Sequence, residues 1–382
     1  MKIAILSNGP GNYSTKRLVE EAEKRGHEAK ARSLKDYAPL KIHVEGGYIN
    51  GYYNKVGDAL YGSGDKNADW EYIEERATQT DVTVLGKYMT LQFPLRDADT
   101  EGNKGLGSYL NESVQIEDVI NSWDNVMMWE RLLLGVLDES VVNAEAKKSP
   151  YSITNTQQVI EYTGNDQDYP TGYGDYYNIH GLAFGVGGSA YMYGSGDHSG
   201  YHYNTMEGII QNIPTNAGSH WGPAHEIGHQ HQNLLKIRKE MEVTNNLFSN
   251  VVLWFFGETT SRVNGTEGSL ENVLLNFNKE DGHYLTNNIW GMTQMYYKLF
   301  LYYHVLGHNP KFYPRLFEIL RQDPSNGMAG TVDGEEAQLH IYKKMCQAAG
   351  EDLTEFFRAH GFLKPLDGFA IDDYGVSTFY MT

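Results

Sequence analysis

The sequence is short of cysteine, of basic charge and of long apolar runs, and each shortage removes a class of protein. Its single cysteine, Cys346, excludes an intrachain disulfide framework and any multi-cysteine zinc or iron–sulfur site. Lys and Arg number 31 against 49 Asp and Glu, a formal net charge of −18 over 382 residues. Phosphate binding needs a basic face, so this balance argues against a nucleic-acid partner and against a polybasic membrane-surface role. No run of eighteen apolar residues occurs, so no membrane insertion is expected. The apolar run in MKIAILSNGPGNYST is too short for a secretory h-region, and the sequence as written carries no export signal. What is abundant is tyrosine (28) and glycine (41), with charged residues at only 21%. That profile suits an ordered, loop-rich globule of two or three domains, or one large decorated domain.

Residues 2–7 (KIAILS) read as a short buried strand followed by a Gly/Pro turn. Thr15 is placed to N-cap a helix running to about Arg25, with Leu18, Val19 and Ala22 on one face. This strand–turn–helix piece, roughly the first 35 residues, resembles the opening of the glutamate-ligase branch of the ATP-grasp enzymes. No later phosphate-cradling Gly-rich loop completes such an enzyme, so residues 1–36 are expected to be a βα appendage. Residues 37–110 read as a small α+β unit. In it, alternation around Gly46-Gly47 signals a hairpin, ADWEYIEERAT a helix, and VTVLGKYMTLQFPL (82–95) further strands.

From residue 111 to 382 the chain is expected to be mainly helical. Ile116, Val119, Ile120, Trp123, Val126 and Met127 mark an amphipathic helix to about Leu134. Further helices are predicted over 242–256, 289–306, 313–321, 334–348 and 352–359, with Gly307, Gly350 and Gly361 as stops. The Gly- and Tyr-rich stretch 178–206 lacks a GxGxxG register and reads as an exposed edge strand with loops.

One motif outweighs the rest: His225-Glu226-Ile227-Gly228-His229, preceded by Trp221-Gly222-Pro223-Ala224. Pro223 suits a first helical turn. Histidines four apart project from one helix face and can direct two imidazole nitrogens at one zinc ion. The glutamate between them then stands where it can take a proton from water acidified by the metal. Gly228 costs about 1 kcal/mol of helix stability relative to alanine, so a second backbone, such as an edge strand, is expected close by.

A catalytic zinc needs a third protein ligand. His231, Glu240, Glu242 and Glu258 are the candidates by position. His231 lies about 200° round the helix from His229 and points away. Glu258 lies at the other end of a helix about 24 Å long from Glu242, so only one of the two can reach the metal. Glu242 opens the predicted helix EVTNNLFSNVVLWFF and faces the histidines; spacing alone leaves Glu240 open as well.

The segments HWGPAHEIGHQHQ and MEVTNNLFSN resemble the M60-like (enhancin-type) zinc metallopeptidases, which are gluzincins. The resemblance continues in HVEGGYINGYYN, WDNVMMWERLLLG, GYHYNTM, LFLYYHVLGHNPKFYPRLFEILRQ and DLTEFFRAHGFLKPLD, covering about residues 37–375. It implies an α+β, zincin-type fold with a small strand-rich N-terminal part and a mainly helical catalytic part. It implies Zn2+ bound by His225, His229 and Glu242, with Glu226 as general base. One departure is Leu235-Lys236-Ile237-Arg238-Lys239-Glu240, where relatives tend to carry an Asn-Trp-Pro-type segment; the spacing is kept.

The family's activity implies an endopeptidase of glycoproteins, notably mucin-type substrates carrying an O-glycan, acting in secreted or cell-surface form. His283, Tyr296, Tyr297 and His304 are candidates to stabilise the oxyanion, and the edge at 185–200 is a place for substrate to add as a strand. Two other readings are a catalytically silent glycan-binding protein on the same scaffold and an ATP-dependent ligase suggested by the first 35 residues.

Overall fold

The computed structural model describes residues 2–7, 13–33, 48–50, 66–76, 81–85, 88–97, 104–136, 182–184, 192–194, 199–258, 282–324, 334–365, 369–373 and 376–380. The hairpin expected at Gly46-Gly47, the boundary at 36/37 and most of the 185–200 edge lie outside these residues.

Strand β1 (Lys2–Ser7) pairs in parallel with β2 (Glu28–Ser33) across helix α1 (Tyr13–Lys24). The helix begins two residues before Thr15, so Thr15 is a buried residue of its first turn and not an N-cap. Leu18, placed on the packed face by periodicity, is 59% exposed. The described part of this unit, two strands and one helix, offers little core to such a side chain.

Among the described residues the main sheet has six strands in the order β3-β4-β5-β6-β8-β7. These are β3 (Tyr48–Asn50), β4 (Asp81–Leu85), β5 (Thr90–Pro94), β6 (Leu182–Phe184), β7 (Met192–Gly194) and β8 (Ser199–Tyr201). β4 and β5 form the antiparallel pair read from 82–95, with Val82 opposite Phe93 and Val84 opposite Leu91. All four side chains are buried. Among the described residues β7 is the last strand of the sheet, paired antiparallel with β8. Helix α2 (Lys66–Arg76) precedes β4 and buries Trp70 and Ile73.

Helix α3 (Ile116–Leu133) is the core of the helical region. It starts where predicted because Gln115 and Asp118 form a reciprocal capping box, the Gln115 amide donating to Asp118 at 2.9 Å. Its periodicity understates its burial: besides the six apolar positions read from sequence, Met128, Trp129, Leu132 and Leu133 are also buried. Trp129 stacks on Phe255 at 4.2 Å. Asp124 Oδ1 accepts from the amides of Tyr88 and Met89 at 2.8 and 3.0 Å, tying the helix to the turn before β5.

α4 (Trp221–His231) and α5 (Thr244–Phe255) pack on α3, α6 (Ile289–Phe300) packs on α5, and α7 (Phe312–Gln322) returns to α3, followed by α8 (Gly334–Ala349) and α9 (Thr354–Ala359). The chain ends in the hairpin of β9 (Phe369–Asp373) and β10 (Val376–Tyr380). Gly307, Gly350 and Gly361, read as helix stops, have φ of +76°, +76° and +71°. That is the left-handed conformation in which glycine lacks the Cβ penalty. The predicted helix 289–306 is α-helical only to Phe300 and continues as a π-turn over Leu301–Val305. No helix among the described residues is long and apolar enough to cross a membrane. The fold is thus α+β, mainly helical with few strands.

His304, in the π-turn, sits among Trp254, Phe255 and Phe300, and neither ring nitrogen has a hydrogen-bond partner among the described residues. Burial lowers its pKa to about 3. Between that value and the ordinary 6.5 the unfolded chain binds one more proton than the folded one, so this contribution to stability falls as pH falls. A His304→Leu variant is therefore expected to lose about 2 kcal/mol less stability than the parent between pH 7 and pH 5. Urea unfolding midpoints at the two pH values measure it, and equal acid sensitivity would refute it.

Candidate metal centre

α4 follows a short 3-10 turn, Ala217–His220, in which the Asn216 side chain accepts from the Gly218 amide at 2.9 Å. The helix starts at Trp221, so Pro223 lies within its first turn, where no intrahelical donor is lost. One turn apart on its exposed-side face, His225 and His229 stand edge to face with ring centroids 4.9 Å apart. Opposite them comes Glu242, from the turn that precedes α5, two residues before that helix begins rather than as its opening residue. Glu242 Oε2 lies 2.9 Å from His225 Nε2 and Oε1 lies 3.6 Å from His229 Nε2. One ligating atom from each of the three residues falls within 4.8 Å of the others.

Glu226 lies beside this cluster, its Oε2 4.0 Å from His229 Nε2 and its side chain only 8% exposed. Burial pushes its pKa up to about 7, with His225 opposing the rise and Glu242 adding to it. A carboxylate poised there is suited to exchange a proton near neutral pH. The two histidines diverge. Burial lowers His229 to about 4, against the opposing pull of Glu242, with His225 and Lys236 lowering it further. Burial works in the same sense on His225, but the Glu242 hydrogen bond, Glu226 and Asn246 outweigh it and raise its pKa.

Each ring is held from behind. Asn246 Oδ1 lies 2.8 Å from His225 Nδ1, and its amide nitrogen donates to the Glu242 carbonyl at 2.6 Å. Since that oxygen can only accept, His225 Nδ1 carries a hydrogen and Nε2 is left for the cluster. The Gln232 amide nitrogen lies 2.8 Å from His229 Nδ1 and donates to the Met241 carbonyl at 3.0 Å. Gln232 Oε1 accepts from Thr244 Oγ1 at 2.6 Å and from the Asn245 amide at 3.0 Å. Asn245 Nδ2 lies among the three groups, 3.0 and 3.1 Å from the Nε2 atoms of His225 and His229 and 3.4 Å from Glu242 Oε2. Two imidazoles and a carboxylate converging in this way form a donor set that fits zinc. A cation on His229 Nε2 leaves Nδ1 as a donor, so that state calls for the Gln232 oxygen at the ring. Asn245, Asn246 and Gln232 escaped the sequence reading; the one available signal was that Asn246 stands four residues after Glu242.

Glu240, left open by spacing, faces elsewhere. Its Oε1 accepts from Tyr284 at 2.7 Å and Tyr296 at 2.8 Å, and its Oε2 from the Ile237 amide at 3.1 Å. His231 points back into the core, its Nδ1 2.7 Å from Glu130 Oε2, both side chains fully buried. Burial pushes Glu130 well above the carboxylate range and lowers His231 to about 3, and their contact joins α4 to α3. Glu258 follows α5 at the far end from Glu242.

The four oxyanion candidates are all engaged away from the cluster. Tyr296 bonds Glu240, Tyr297 is buried and stacked on Phe300, and His304 occupies its aromatic surround. His283 Nδ1 accepts from the Leu285 amide at 3.0 Å. The close approach expected at Gly228 exists, but it comes from helix α5 and not from an edge strand. A Cβ there would stand 2.9 Å from the Asn245 carbonyl oxygen.

β7 meets α4 elsewhere. A Cβ on Gly194 would stand 2.7 Å from the Glu226 carbonyl oxygen and 2.8 Å from His229 Cβ, and one on Gly222 would meet Met192 Sδ at 2.7 Å. β7 therefore runs along the helix that carries both histidines, with no room for a side chain at position 194 and with Met192 seated on Gly222. A Gly194→Val variant is expected to lose about 1–3 kcal/mol, because backbone has to move. Thermal unfolding checks this, and an unchanged midpoint would count against the packing.

Residues 110–361 match the family described as peptidase M60, enhancin and enhancin-like. Residues 1–56 match the RimK PreATP-grasp domain, further than the first 35 residues suggested by sequence. A metallopeptidase solved in complex with Tn antigen superposes over 90% of this chain and 54% of its own, with a TM-score of 0.62 and 22% identity. A metallopeptidase from Bacteroides thetaiotaomicron superposes over 90% and 49%, with a TM-score of 0.61 and 22% identity. At that identity the likeness shows the fold. A probable alpha-L-glutamate ligase 2 of Shewanella frigidimarina is 31% identical over 168 residues, 40% of this chain and 55% of the ligase. The chain thus spans about half the length of the relatives it matches.

Proposed function

Because the chain belongs to the peptidase M60, enhancin and enhancin-like family, we propose that it is a zinc-dependent endopeptidase of O-glycosylated, mucin-type glycoproteins. The observation that carries this reading is the convergence of His225, His229 and Glu242, with Glu226 buried beside them. In this reading the first three hold the ion. When bound, zinc supplies Lewis acidity, which polarises a carbonyl and acidifies water.

Glu226 takes a proton from the attacking water and passes it to the departing amine nitrogen as the C–O bond forms and the C–N bond breaks. Asn246 keeps the His225 ring oriented, its oxygen accepting from Nδ1 while Nε2 faces the cluster. β7, last in the order of the described strands, runs along α4, and an extended peptide lying there can add by main-chain hydrogen bonds. The glycan preference is supported by the fold shared with the metallopeptidase solved with Tn antigen. Such substrates place the action outside the cell or at its surface.

Residues 1–36 are in this reading an appendage, 37–110 a small α+β unit and 111–382 the catalytic region, the last two sharing one sheet through the pairing of β5 with β6. The function is tested with matched Ser/Thr-rich peptides, bare and O-glycosylated, incubated with the zinc-loaded protein. Mass spectrometry should show cleavage of the glycosylated peptide, abolished by chelation. Binding without cleavage would instead make the chain a silent glycan-binding protein, and cleavage of both peptides alike would remove the glycan requirement.

A further inference from the structure

Glu240 lies two residues before Glu242 and is fully buried, yet it belongs to another set of contacts. Its side chain takes three hydrogen bonds, from two tyrosine hydroxyls and a backbone amide. Its carbonyl oxygen accepts from the amides of Val243 and Thr244 at 3.0 and 3.2 Å, so the same residue sets where α5 begins. Glu242 is enclosed between the two sets.

The turn needs such holding. Lys239 has φ +68°, the one non-glycine residue in the left-handed region among the described residues. A conformation of that kind persists only where its surroundings over-determine it. Lys239 Nζ donates to the Leu285 carbonyl, so Lys239 and Glu240 both end on the turn Tyr284–Thr286. That turn is itself fixed, because the Tyr284 amide donates to Gly361 at 3.0 Å and its ring packs on Phe362. Tyr296 is braced in α6, where Tyr313 donates to its carbonyl at 2.6 Å.

We propose that Glu240 is a positioning residue whose carboxylate, clamped by Tyr284, Tyr296 and the Ile237 amide, fixes the turn that presents Glu242 to His225 and His229. The inference rests on the reading of the cluster as a metal site. A neutral amide or a missing hydroxyl leaves a buried polar atom short of a partner and lets the turn relax away from the histidines.

The test compares Tyr284→Phe, Tyr296→Phe and Glu240→Gln with the parent and with Tyr303→Phe. Tyr303 also donates from a buried ring to a glutamate, Glu351, but takes no part in this turn. Zinc affinity is read by chelator competition, coordination by the visible bands of the cobalt(II)-loaded protein, and fold by thermal unfolding without metal. Each clamp variant is expected to bind zinc about 10–100-fold more weakly and to alter the cobalt bands. Tyr303→Phe should lose stability while keeping parental affinity and spectrum. Clamp variants that unfold earlier but bind zinc like the parent would overturn the inference. A parent that binds no zinc would overturn the metal-site reading instead. If Glu240→Gln does not fold, the two tyrosine variants, which each remove a single hydroxyl, still decide.

Discussion

A Glu226→Ala protein is expected to bind zinc as the parent does and to cleave about 10²–10⁴-fold more slowly, the range that a positioned general base contributes. The expectation follows from geometry. Glu226 is adjacent to His225 in sequence and 4.0 Å from His229 Nε2, while Glu242 makes the shorter approaches to both rings. Removing it leaves the three proposed ligands in place and takes away the group that moves the proton. Metal content by elemental analysis and kcat/KM on a glycosylated peptide measure the two halves separately. Parental activity in this variant would end the assignment of Glu226.

Glu242→Ala should do the reverse and abolish both. One of three proposed ligands goes, so zinc affinity is expected to fall by more than the roughly 10–100-fold typical of losing an outer-shell partner. Activity should fall with it at sub-millimolar zinc. His225 also loses the strongest of the groups that raise its pKa, leaving Glu226 and Asn246 to oppose the lowering by burial. In the metal-free variant His225 should therefore titrate at lower pH than in the metal-free parent, a shift visible by NMR. A Glu242→Ala chain that retains parental zinc affinity would show that the third ligand is another residue.

The contrast between Glu242 and Glu240 marks where sequence reasoning ran out. Both lie within the span that a short link can bring back to α4, and spacing could not separate them. What separates them is Tyr284 and Tyr296, 44 and 56 residues further on, whose hydroxyls claim the Glu240 carboxylate. The oxyanion candidates failed for a similar reason. Tyr296, Tyr297, His283 and His304 are polar enough to serve, but the fold has given each a partner or a packed surround. Gly228 was legible as a site of close approach, because a helix interior has little other use for glycine. Which backbone approaches, α5 and not the edge strand, was not legible.

The sequence by itself determined the short-range features of this protein. These are the helix α3, the glycine stops at 307, 350 and 361, and the projection of His225 and His229 from one face with Glu226 between them. All depend on the 3.6-residue turn and on glycine's backbone freedom, which act within a few residues. Which carboxylate meets the histidines was beyond spacing and was implied only by the family resemblance; the tertiary structure alone decided what occupies Glu240, what holds the histidine rings, and that β7 lies along α4. Those outcomes depend on contacts between segments far apart in the chain. Such contacts are selected by packing and by the need to satisfy every buried polar group, conditions that only the assembled fold imposes.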